Sequence, residues 1–119
     1  MGNVPMKGLV YGFNKCNYHM KHIIMNLGSY NKEKLVEMFS DKGHSFESLK
    51  ALKLGPMTVV ELYEDENFTG NEKTIINSSD TNGIEIKCFS DFEVRSIKIY
   101  GSVNYIPIIE PTIIQTVEP

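Results

Sequence analysis

The chain has 119 residues, 12 Lys+Arg against 15 Asp+Glu, a formal net charge of −3 and 41% hydrophobic residues. That suits one domain with enough apolar material for a core, and the net charge is too small for wholesale disorder. A near-balanced, slightly acidic chain carries no electrostatic footprint for nucleic acid or an anionic membrane, and no apolar run approaches the about 20 residues that cross a bilayer.

In chain order, Met1 to Val10 lacks the charged start and apolar stretch of a signal peptide, and residues 1–8 read as an N-terminal arm. A helix is predicted only over Asn31–Phe39. Asn31 can cap it, Leu35, Met38 and Phe39 share a face, and Gly43 ends it. Elsewhere the apolar residues are β-branched or aromatic, in short runs between turn residues. Strands are predicted at Leu49–Leu54, Val59–Tyr63, Lys73–Ile76 and Val94–Tyr100, the last alternating apolar and polar. Cys16 and Cys88 lie far apart with no C-x-x-C, so no disulfide framework is indicated. Two unpaired thiols and no signal peptide favour the cytoplasm.

An internal repeat organises the chain. Phe13-Asn-Lys-Cys-Asn-Tyr18 stands fifty residues before Tyr63-Glu-Asp-Glu-Asn-Phe68, and both read aromatic, four residues, aromatic. The closing strands Leu49–Leu54 and Val94–Ile99 are forty-five apart, so the first half holds the longer connection, where the helix lies. Each half reads as a four-stranded Greek key that cannot bury its apolar face alone, and two such keys pack face to face as a β-sandwich. In each hairpin the first ring covers the bend and a residue with φ > 0 completes it. Gly70 suits that demand and Met20, its counterpart, does not.

These residues resemble the βγ-crystallin family, whose signature is an aromatic, four residues, an aromatic, any residue and Gly. Tyr63 to Gly70 matches it completely, and Phe13 to Met20 matches except at the glycine. Gly28-Ser-Tyr30 looks like the family's tyrosine-corner segment, and Asn77-Ser-Ser-Asp80 like its counterpart in the other motif type. The resemblance is greatest to single-domain microbial members, clostridial ones in particular. It implies an all-β fold, two Greek-key motifs forming one βγ-crystallin-type β-sandwich over residues 9–101, with motif one at 9–55 and motif two at 57–101. The missing Trp departs from the packing common in the family.

Microbial members commonly bind two calcium ions per domain through a run of Asn/Asp, Asn/Asp, two residues, Ser/Thr, Ser before the closing strand. Here the runs are Phe46-Glu-Ser-Leu-Lys-Ala51 and Asp91-Phe-Glu-Val-Arg-Ser96, with Lys50 and Arg95 at the oxygen-donor positions. Calcium wants about six to eight oxygen ligands, and a permanent cation removes one and repels the ion. Since the family's Ser/Thr reaches across to the other motif's hairpin, Lys50 is expected to face Glu64–Glu66 and Arg95 to lie near Asn14. The other reading of both is two solvated strand residues. Asn14, Glu47, Glu64, Asp91 and Glu93 are the candidates for residual weak calcium binding. No cofactor is expected otherwise.

Other chemistry is thin. Cys16, His19 and His22 are spaced three apart, but strand residues i and i+3 point to opposite faces, so ordinary hairpin residues are expected rather than zinc ligands, with His44 the spare. No catalytic or phosphate-binding motif occurs, and Ser48, Ser90 and Ser96 have no evident base, so an enzyme is not expected. The six methionines form no single stripe. In the extended tail, residues 102–119, Pro107 and Pro111 forbid a helix, while Ile108-Ile109 and Ile113-Ile114 favour an arm lying on its own domain or a neighbour's sheet edge, the second making a homodimer. The function expected is a structural or stress-related module with degenerate calcium sites. A calcium-binding module or an adhesion, inhibitor or other interaction protein of unknown partner are the alternatives.

Overall fold

The structure is a computed structural model that describes residues 5–16 and 22–102. The short β-branched and aromatic runs become eight strands, all paired antiparallel: β1 (Val10–Phe13), β2 (Ile23–Met25), β3 (Gly28–Tyr30), β4 (Ala51–Leu54), β5 (Thr58–Tyr63), β6 (Glu72–Asn77), β7 (Ile84–Lys87) and β8 (Ser96–Gly101). One helix, α1 (Lys32–Ser40), lies between β3 and β4. Asn31 caps it by accepting the Lys34 amide at 2.9 Å. It ends in a left-handed turn, with Gly43 at φ +80 and the amides of Gly43 and His44 returning to the carbonyls of Ser40 and Phe39.

Two four-stranded sheets form the layers, in the orders β2-β1-β4-β7 and β3-β8-β5-β6. The two halves pack as the expected β-sandwich, and each contributes strands to both sheets. Each sheet takes three strands from one half and one from the other: β3 crosses to the second sheet and β7 to the first. The two corner segments hold these crossings. Between β2 and β3 the Tyr30 hydroxyl donates to the Asn26 carbonyl and accepts the Asn26 amide, both at 3.0 Å. Between β6 and β7 the buried Asn77 amide donates to the carbonyls of Gly55 and Asn82, both at 2.9 Å. Crossing leaves the apolar β4 and β8 central in their sheets.

The core lies between the sheets, where register stacks Val10 against Leu54, Val60 against Ile99 and Leu62 against Ile97. Leu35 and Phe39 of α1 close one side, the Phe39 ring stacked on Phe46 at 5.2 Å. Met38 only packs against this cluster. Ahead of β1, Pro5 is buried, and Gly8 donates to the Pro56 carbonyl, so residues 5–8 lie against the junction between the halves. A side chain at Gly55 would run into the Met6 carbonyl. No helix among the described residues is long and apolar enough to cross a membrane. Tyr18, His19, Met20 and the tail from Val103, with its expected dimer arm, lie outside the described residues.

Candidate functional site

The hairpin after β5 has every main-chain oxygen of its acidic turn engaged by the protein. Arg95 donates through Nη1 to the Glu64 carbonyl at 3.1 Å, Ser96 Oγ donates to the Asp65 carbonyl at 2.7 Å, and the Lys32 amide donates to the Glu66 carbonyl at 3.0 Å. Ser96 Oγ also accepts the Phe68 amide at 2.9 Å, which holds the second ring of the motif in place. The side chains are occupied as well. Glu64 accepts from Asn71 at 2.8 Å, Asp65 from Thr69 at 3.1 Å, and Glu66 pairs with Lys32 at 3.6 Å. Gly70, at φ +84, lets the chain pass where a side chain would meet the Asp65 carboxylate at 2.8 Å.

This corrects the expected placement of the two cations. Arg95 sits on its own half's hairpin, not beside Asn14, because β8 pairs directly with β5 and its entering residue falls next to Tyr63, whose carbonyl accepts the Arg95 amide. Lys50 likewise stays with the first hairpin, its amide donating to the Phe13 carbonyl at 2.8 Å. The two heads converge on one carboxylate: Lys50 and Arg95 each lie 3.6 Å from an oxygen of Glu93. Of the other candidates, Asp91 pairs with Lys73 at 3.1 Å and Glu47 is exposed. Asn14 donates to the Ser45 carbonyl at 2.7 Å. Its own Oδ1 and the Ser48 hydroxyl are buried with no hydrogen-bond partner. A cavity of about 160 Å³ opens beside Ser48, Lys50, Phe89, Phe92 and Glu93. Among the described residues, no three His, Cys, Asp or Glu side chains group as a metal site.

A feature that sequence reasoning missed repeats at the same offset of forty-five. Lys53 lies over the Phe13 ring at 5.8 Å, and Lys98 over Phe68 at 5.0 Å and Tyr63 at 5.9 Å. Each closing strand thus places an ammonium under the aromatic roof of its hairpin, a favourable cation–π arrangement. The pairing Lys50/Arg95 and Lys53/Lys98 is visible in the aligned sequence, although the roof is not. Near the second roof, Glu61 is buried and accepts the hydroxyls of Tyr63 at 2.7 Å and Tyr100 at 2.9 Å. Burial first, and then the neighbouring Glu61 carboxylate, push the Tyr63 hydroxyl well above its ordinary pKa.

Cys16 and Cys88 form a disulfide, contrary to the sequence expectation, with their Cα atoms 4.8 Å apart. The pairing went unread because Cys88 follows β7, the strand that crosses to the first sheet. It removes unpaired thiols as a ground for the cytoplasm and Cys16 as a free zinc ligand. His22 stacks on Tyr11 at 4.3 Å; burial, then Lys42 and Lys53, lower its pKa. Neither role is that of a ligand. Ser96 is committed to its hairpin, leaving no sign of a nucleophile there.

Solved structures share this fold. A βγ-crystallin domain from Flavobacterium johnsoniae aligns at 20% identity and TM-score 0.62, over 83% of this chain and 100% of that one. The chain has the βγ-crystallin fold. A threonine-to-arginine mutant of the βγ-crystallin domain from Clostridium beijerinckii aligns at 23% identity and TM-score 0.57, over 77% of this chain and 97% of that one. A clostrillin double mutant with two serines changed to histidine, in complex with nickel, aligns at 25% identity and TM-score 0.55, over 78% and 98%. No family model and no curated protein matches the sequence. The second hairpin carries the full Tyr63–Gly70 spacing of the resemblance, and the Arg95 guanidinium donates to its Glu64 carbonyl.

Proposed function

We propose that this chain is a non-enzymatic βγ-crystallin family module, structural or stress-related, whose folding has been made independent of calcium by its own cations. The observation that carries the reading is the engagement of the Glu64, Asp65 and Glu66 carbonyls by Arg95, Ser96 and Lys32. An ion entering the second hairpin would have to displace a guanidinium and meet its charge. Glu93, shared between Lys50 and Arg95, neutralises part of that positive charge. The module would serve as a stable scaffold rather than as a sensor.

Calorimetric titration with calcium, with thermal melts in calcium and in EDTA, tests this. The expected result is no site tighter than about 10⁻⁵ M, the weak end of the sensor range, and the same melting temperature in both buffers. Two tighter sites, or a clear rise of melting temperature with calcium, would overturn it. A second reading, weak calcium binding in the first half alone, is favoured by the buried Asn14 Oδ1 and Ser48 Oγ that lack partners. It predicts one weak site that survives Arg95→Ala and is lost in Asn14→Ala.

A further inference from the structure

The two hairpins are fastened by different means. In the second, Ser96 joins the Asp65 carbonyl and the Phe68 amide. The position forty-five residues earlier is Ala51, fully buried and without a hydroxyl to do the same. The first hairpin is held instead across three segments. The Lys50 amide donates to the Phe13 carbonyl, the Phe89 amide donates to the Lys50 carbonyl at 3.2 Å, and the Cys16–Cys88 bond closes the stack covalently. Cys88 belongs to the other half of the chain, one residue past β7. Both cysteines are exposed, within reach of a thiol in solution.

We propose that the Cys16–Cys88 disulfide is a redox-set fastening of the first hairpin, taking the place of the serine clamp that Ala51 lacks. A low-molecular-weight thiolate attacks one Sγ, the S–S bond breaks, and the other Sγ leaves as a thiolate that takes up a proton. A second thiolate then attacks the mixed disulfide and frees the first Sγ, which is protonated in turn. Two electrons pass to the protein, and the two small thiols leave joined as their own disulfide. Reduction leaves the described part of the first hairpin its main-chain hydrogen bonds and the Asn14–Ser45 bond without the covalent closure, while the second hairpin keeps its serine. The proposal does not depend on the cation reading.

Hydrogen exchange on the full chain, oxidised and then reduced with dithiothreitol, tests it. Reduction is expected to speed exchange at Asn14, Lys15, Lys50 and Phe89 by about tenfold or more, while Asp65, Phe68 and Arg95 change by less than about twofold. The C16S/C88S double variant should reproduce this pattern without reductant. Unchanged exchange in the first hairpin on reduction overturns the proposal. So does equal loosening of both hairpins, or complete unfolding, either of which makes the bond a staple of the whole fold.

Discussion

Single side chains decide how the second hairpin stands. Ser96 is fully buried, and its hydroxyl both donates and accepts, so Ser96→Ala leaves the Phe68 amide and the Asp65 carbonyl short of a partner. The expected loss is about 1–3 kcal/mol, the usual cost of stranding buried polar groups, read as a lower urea midpoint with an unchanged slope. Two titrating groups set the pH limits. His22 has a lowered pKa in the fold, so the unfolded chain binds its proton first as pH falls. The contribution of His22 to stability is therefore full above the ordinary value near 6.5 and shrinks as pH drops below it. Tyr63 is the opposite case, its pKa being raised: stability is full below the ordinary value near 10 and declines as pH rises past it. Urea midpoints at pH 5, 7.5 and 10.5 check both, with His22→Phe and Tyr63→Phe each removing its own limb.

At the scale of elements, legibility followed how local each signal was. The α1 cap at Asn31 and stop at Gly43, and the left-handed Gly70, are written in neighbouring residues and stand where the sequence puts them. Gly43→Ala should cost about 1 kcal/mol through its positive φ, measured by chemical denaturation. The aromatic spacing likewise marked the second hairpin, where the Tyr63 and Phe68 rings meet edge to face, and the Tyr30 corner forms as the resemblance implied. What escaped was non-local. Whether Lys50 or Arg95 faces a given hairpin depends on which strands are neighbours, and the exchange of β3 and β7 is not written in any periodicity. The cysteine pairing was hidden for that same reason.

For the whole molecule, exchange of strands means that neither half owns a complete sheet. The first half lacks β7, and the second lacks β3. Unfolding should therefore be a single cooperative event, with tyrosine near-ultraviolet and far-ultraviolet circular dichroism giving coincident transitions. Two separated transitions would contradict it. A core truncation at the centre, Leu52→Ala, should lower stability by about 2–5 kcal/mol, because Leu52 is fully buried between β1 and β7.

The crossing of β7 also sets a timetable for synthesis. When β1, β2 and β4 have left the ribosome, the edge of β4 that β7 will cover is still open, and Cys88, which follows Cys16 by 72 residues, has not yet emerged. β5 and β6 can pair on emergence, but their central neighbour β8 comes last. At the about 5–20 residues per second of translation, the first half spends seconds with an unfinished sheet. The nascent chain is thus most exposed to mispairing before residue 87 appears, and its fold can close only once β8 has emerged.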